Sequence, residues 1–253
     1  MSLTRLSFLV AGLLCLSQFF SACASTGGGK RPRASGAEGE LERCLKLSTK
    51  KKHTKAVECL EVFKSRYPSA ASSADADLLI AENYFLNKEY LVAAESFRAF
   101  LERYPNHPKS DYAYLRSGLS YLHETPKSID RDLNYLDTAT RNLEMVVRYY
   151  PNSPHYPMAL REYQKARAKQ AAKHFYVGKF YYRYGEYLAS IPRFVDIVRN
   201  YEGLGFDEKS FYYLVTALAK TGQPDKAREV ITVFESRHPQ SAFLKKAKGM
   251  LKS

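Results

Sequence analysis

Thiols can bridge, hold metal, attack a substrate or carry a covalent group, and this chain has 4 of them, Cys15, Cys23, Cys44 and Cys59. No CxxC pair is present, and the 6 histidines (His53, His107, His123, His155, His174, His238) never fall at ligand spacing, so no metal centre is expected. The HExxH helix, the Gly-rich phosphate loop and the Gly-x-Ser-x-Gly elbow are missing as well. Asp130 and Asp132 flank Arg131, which reads as a local ion-pair cluster before it reads as acid/base machinery. These patterns point away from an enzyme: no catalytic residue and no soluble cofactor is expected.

Cys23 has a different context. Arg5 precedes an apolar run from Leu6 to Phe20, too short for a membrane span and suited to a secretory signal; the small residues Ser21 and Ala22 then lead into Cys23. This resembles a bacterial lipobox, although Phe20 stands where leucine is usual. The resemblance implies that residues 1–22 are removed and that Cys23 becomes a lipidated N-terminus; the alternative is ordinary cleavage after Ala22 with a free thiol. Several acyl chains, at ~0.8 kcal/mol per buried methylene, anchor a protein stably where one does not. No Asp follows Cys23, which in bacterial lipoproteins implies sorting to the outer membrane. Residues 23–39, rich in Gly, Ser and charge, cannot bury enough apolar surface to fold and read as a flexible tether. The formal net charge of +13 favours anionic partners, but export argues against nucleic acid.

The elements behind these residues are repetitive. Tyr67-Pro68, Tyr104-Pro105, Tyr150-Pro151 and His238-Pro239 each close a helical stretch, and a small residue precedes each proline at the same distance: Ala56, Ala93, Ala139 and Ala227. Ser190 occupies that place before Glu202, where a fifth proline is absent. Small residues at two helix crossings, with Tyr84, Phe97 and Phe100 filling the space around them in the second unit, resemble the tetratricopeptide repeat. The expected fold is all-α: an α-solenoid of five such helix pairs, with a long connecting helix from Tyr156 to Tyr184 and a C-terminal capping helix over Ser241 to Leu251. Gly185 and Gly222 suit left-handed helix ends, and Asn87 is expected to serve in the second unit. Repeats one to three take residues 40–154; the connector, repeats four and five and the cap take 155–253. Cys44 and Cys59 fall on the facing helices of the first unit, where they can form a disulfide or act as small core residues.

Unequal spacing is the informative departure. An insertion around Thr125 to Asp132 and the long helix before the fourth unit stretch the array well beyond a regular 34-residue period. Lipobox, tether, five irregular repeats and the run Ser128-Ile129-Asp130-Arg131-Asp132 leading to Tyr150-Pro151-Asn152-Ser153 together resemble the BamD (YfiO-type) family of outer-membrane assembly lipoproteins. The resemblance covers nearly the whole mature chain.

Function would then lie in two surfaces. First helices of tetratricopeptide repeats line a groove; here that register falls on Leu41 and Leu45, on Leu78 and Phe85, and on Tyr112, Leu115 and Leu119. An apolar groove is expected, fit for an extended peptide, unless these side chains pack against the neighbouring repeat. The resemblance implies that unfolded outer-membrane proteins are its ligands. It also implies that the C-terminal repeats bind a POTRA domain of a BamA-like barrel protein, with Arg193 as the matching anchor, and that other lipoproteins of the assembly complex are partners. Attachment to the membrane would be through the lipid on Cys23, on the periplasmic face of the outer membrane. The competing reading is a pilotin-type lipoprotein for secretin or pilus assembly, which would lack the long connector and the Asp-Arg-Asp insertion.

Overall fold

Proline dictates where the repeat helices stop. Its ring disfavours helical geometry in the residue before it, and Tyr67, Tyr104, Tyr150 and His238 accordingly leave the α region with φ near −130° (−128°, −130°, −128° and −137°). Tyr201 turns the same way, at φ −127°, with no proline behind it. There the ring itself is the anchor: Tyr201 is buried, lies under the Arg167 guanidinium at 4.5 Å, and Arg167 also donates to the Asn200 carbonyl.

A computed structural model describes residues 36–69 and 72–251, and the expected signal, lipobox and most of the expected tether lie outside them. Eleven helices are found among the described residues: α1 (Ala37–Thr49), α2 (His53–Arg66), α3 (Ser73–Leu86), α4 (Tyr90–Arg103), α5 (Ser110–Glu124), α6 (Asn134–Tyr149), α7 (Tyr156–Arg183), α8 (Tyr187–Asn200), α9 (Asp207–Lys220), α10 (Pro224–Arg237) and α11 (Ala242–Met250). Each packs chiefly on its neighbour in sequence, and α11 folds back on α9. The chain is therefore an all-α solenoid of helix pairs. Helix α1 begins at Ala37, inside the stretch expected to be tether: Gly36, at φ 85°, is the break, and Glu38 and Glu40 favour a helix N-terminus.

Small residues let the helices cross closely. Ala56, Ala81, Ala93, Ala139, Ser190 and Ala227 are all fully buried. In the third unit the crossing residue is Gly118, where a Cβ would meet Leu143 at 2.8 Å. Cys44 and Cys59 are joined in a disulfide between α1 and α2 with Cα atoms 5.4 Å apart, which decides between bridge and free core thiol.

Left-handed turns recur at one place in four units: Lys51 (φ 58°), Lys88 (φ 66°), Gly185 (φ 83°) and Gly222 (φ 71°). The second unit differs from expectation, because Lys88 and not Asn87 takes the left-handed conformation. Asn87 stays at φ −82° and donates its side-chain amide to Glu89 across the turn, so its polar group serves the turn without a change of backbone region.

Helix α7 serves both ends of the array. Ala159 packs with Leu115, Leu143 and Val146; Ala166 with Leu133 and Leu136; Ala171 with Phe194 and the aromatic C-terminal core, where Phe211 and Phe234 stack at 4.7 Å. The insertion between α5 and α6 is tied to this helix: Lys169 donates to the Pro126 carbonyl, and Lys173 to those of Ile129 and Arg131, both at 2.8 Å. Contrary to expectation, no ion pair joins Arg131 to Asp130 or Asp132 among the described residues. Asp130 accepts from Ser128 instead, and that hydrogen bond holds its carboxyl below the usual range.

Candidate partner-binding surfaces

The groove register of the first three repeats resolves into exposed and covered residues. Leu41 is half-buried against the first-unit core, and Leu45 is half-exposed. Leu78 is 6% exposed and Leu115 only 2%, so both are core residues before they are groove residues; Leu115 packs inward on Leu143 and Val146. Leu119 is half-buried against that same cluster. A depression of about 500 Å³ does open between α3, α5 and the start of α7, walled by Leu78, Leu79, Pro108, Tyr112, Pro154 and His155.

Its floor is polar where an apolar one was expected. Glu82 accepts from Arg116 Nε at 2.8 Å and from the Tyr112 hydroxyl at 2.7 Å, and the Arg116–Glu82 pair is largely shielded, with side chains 14% and 20% exposed. Burial, followed by the adjacent Glu82 carboxylate, pushes the Tyr112 phenol up. Arg116 also lies 3.5 Å over the Phe85 ring, whose edge meets Tyr90 and His123, so Phe85 is roofed. In the sequence Glu82 and Arg116 are two ordinary charged residues, and no local pattern marks them as partners.

Arg193 lies on α8 where two depressions adjoin. One, about 540 Å³, is lined by His174, Tyr181, Pro192, Asp196 and Arg199; the other, about 250 Å³, by Asp132, Asp137, Gln170, Lys173 and Val177. Gly178 of α7 brings the helices this close: a Cβ there would stand 3.0 Å from the Arg193 Cβ and 3.1 Å from the Phe194 ring. His174 Nε2 pairs with Asp196 at 3.1 Å, which leaves Arg193 exposed and without an ion pair or hydrogen bond among the described residues. Burial lowers the His174 pKa against the pull of Asp196, and Arg193 lowers it further. An unpaired guanidinium over a shallow hollow suits bidentate capture of a partner's carboxylate.

The remaining histidines are structural: His53 bonds Asn83 at 3.0 Å, His123 stacks on Tyr90 at 4.2 Å, and His107, His155 and His238 lie against Phe100, Tyr112 and Phe211. Among the described residues no group of His, Cys, Asp and Glu could hold a metal ion.

The profile of the YfiO family, described as an outer membrane lipoprotein, matches residues 43–233. The chain belongs to this family. Similar curated proteins bear the name outer membrane protein assembly factor BamD. That of Neisseria meningitidis serogroup A is 27% identical over 201 residues, which span 76% of this chain and 75% of that protein. That of Rickettsia prowazekii is 24% identical, spanning 82% of each chain, and that of Vibrio cholerae is 24% identical, spanning 85% of this chain and 92% of its own. Among solved structures, the TPR2AB domain of yeast Sti1 aligns with 85% of this chain and 83% of its own at 14% identity, with a TM-score of 0.41.

The YfiO family is one of outer membrane lipoproteins, and these relatives are assembly factors and not enzymes. Cys23, the expected lipid-bearing residue, lies outside the described residues.

Proposed function

We propose that this YfiO-family chain is a lipid-anchored scaffold in the assembly of outer-membrane β-barrels. It holds a barrel-inserting subunit by a POTRA domain at the α7–α8 face around Arg193, and meets unfolded barrel precursors in the depression between α3 and α5. Cys23 carries the anchor. The family match over residues 43–233 carries the reading. The exposed, unpaired Arg193 beside the His174–Asp196 pair supports the first surface, and the partly apolar wall of Leu78, Leu79 and Tyr112 the second. Glu82, Lys109 and Asp111 in the lining suit a ligand that brings backbone polar groups as well as apolar side chains, as an unfolded strand does.

The deciding experiment is extraction in mild detergent followed by co-purification. A POTRA-bearing barrel protein is expected to come down with the chain, and Arg193→Glu to weaken its capture at unchanged helicity. Retention of full capture by that variant removes the assignment of Arg193; absence of any such partner with the unaltered chain removes the function.

A further inference from the structure

The second half of α7 is the first helix of the fourth repeat, so it stands in the C-terminal units where groove-lining helices stand in the others. One stripe of it faces away from the core. Tyr176, Phe180 and Tyr184 follow one another at single-turn intervals and are 44%, 49% and 70% exposed, while Lys179 and Arg183 run beside them. Ile129 from the insertion and Phe206 from the α8–α9 loop help wall a groove of about 450 Å³ along this stripe.

Its electrostatics differ from those of the other two surfaces. Around the depression between α3 and α5, Arg116 is taken by Glu82, and on α8 His174 is taken by Asp196. Here no carboxylate lines the wall, and neither Lys179 nor Arg183 makes an ion pair or hydrogen bond among the described residues. The groove thus combines exposed aromatic surface with two uncompensated cations, and the missing charge must come from the occupant.

Spacing favours an extended chain. Lys179 and Arg183 lie one turn apart, at roughly 5–6 Å between Cβ atoms; alternate residues of a strand lie about 7 Å apart on one side. Two carboxylates at alternate positions can meet the two cations while the intervening side chains turn toward the Tyr176–Phe180 row. A flat lipid surface fits less well: it would touch Tyr184 but would not reach the groove floor between Ile129 and Phe206. We propose that this groove binds an extended segment of a partner protein in which acidic residues alternate with aromatic or aliphatic ones. This does not rest on what Arg193 binds.

The chain has no tryptophan, which supplies a clean reporter. In the full lipoprotein in detergent micelles, Phe180→Trp emission is expected to shift to the blue and saturate on titration with an eight-residue peptide alternating aspartate and phenylalanine. The lysine-for-aspartate peptide should leave it unmoved. Adding Lys179→Glu and Arg183→Glu, with helicity checked by circular dichroism, should weaken the aspartate peptide by about tenfold or more, since charge-assisted contacts are lost. Unchanged affinity in the charge-reversed variant overturns the proposal. So does a shift caused by vesicles of anionic phospholipid and not by the peptide, which would make the stripe a membrane face. Arg193→Glu should leave the signal unaltered, so this inference and the function proposed above stand or fall separately.

Discussion

Arg116 holds two residues of α3 at once: its guanidinium grips the Glu82 carboxylate and lies 3.5 Å above the Phe85 ring. Both ties run from α5 to α3, so Arg116 stitches the second repeat to the third. Truncating it should leave a shielded carboxylate unpaired and a ring uncovered. Arg116→Ala is expected to destabilise by on the order of 2–3 kcal/mol, below the full cost of breaking a deeply buried pair because some solvent reaches this one. Adding Glu82→Gln should recover part of the loss in urea unfolding; a double variant no more stable than the single would count against the pairing as its cause.

Glycine at a helix crossing is a steric demand that competes with helix propensity. Gly118→Ala gains about 1 kcal/mol of propensity but drives a Cβ to 2.8 Å from Leu143, which is fully buried, and to 3.2 Å from the Ala139 carbonyl. Overpacking of this kind costs about 1–3 kcal/mol, so a net loss is expected. Gly249→Ala in α11 meets nothing within 4 Å and should stabilise or be neutral. Comparing the two melting temperatures checks the argument, and equal shifts would sink it.

The Cys44–Cys59 bridge closes a short loop, with a sequence separation of 15. Loops of that length are worth about 3 kcal/mol through restriction of the unfolded chain. A reductant should lower the melting temperature and expose α1 and α2 first, read by hydrogen exchange. Cys44→Ala with Cys59→Ala should melt at the reduced temperature from the start and ignore the reductant.

Alkali should loosen the fold. Burial, followed by the hydrogen bond to Glu95, pushes the Tyr121 phenol up to about 12, and Tyr112 and Tyr114 shift the same way. A group whose pKa is higher folded than unfolded supports the fold below its unfolded value, near 10, and loses that support as pH climbs through the folded value. The melting temperature should therefore fall between pH 10 and about 12. Tyr121→Phe removes one contributor and should make the decline shallower; the same slope in both proteins would contradict this.

Much of the architecture is legible in the chain because its signals are local and repeated. Proline after an aromatic residue ends a helix at Pro68, Pro105, Pro151 and Pro239, and Ala56, Ala93 and Ala227 mark crossings by size alone. The pairing of charged residues is another matter. Glu82 and Arg116 are 34 residues apart, and only the packing of α5 on α3 turns two ordinary charges into a shielded pair that roofs Phe85. Leu115 looked like a groove residue because register gives the face of a helix but not what the next helix covers. Lys88 replaced Asn87 at the left-handed turn because the position in the repeat, one residue later, outweighed residue preference. In the fourth unit the groove register falls on Ala172, Phe175 and Lys179, which line the α7 groove, while the exposed rings Tyr176 and Phe180 stand one position further along and were not given by it.

Helix α7 also fixes a phase. It is one unbroken α-helix of 28 residues, roughly 42 Å long at 1.5 Å per residue. With Ala159 and Ala166 packed on the third unit and Ala171 and Gly178 on the C-terminal units, the angle between the two halves of the solenoid is counted out in residues. One residue added near its middle would turn the Gly178 face by about 100° about the axis. Arg193 would then aim at a different quadrant, away from Asp132 and Asp137, although its contacts with Gly178 and the C-terminal units survived, so the length of this helix is itself a specificity determinant.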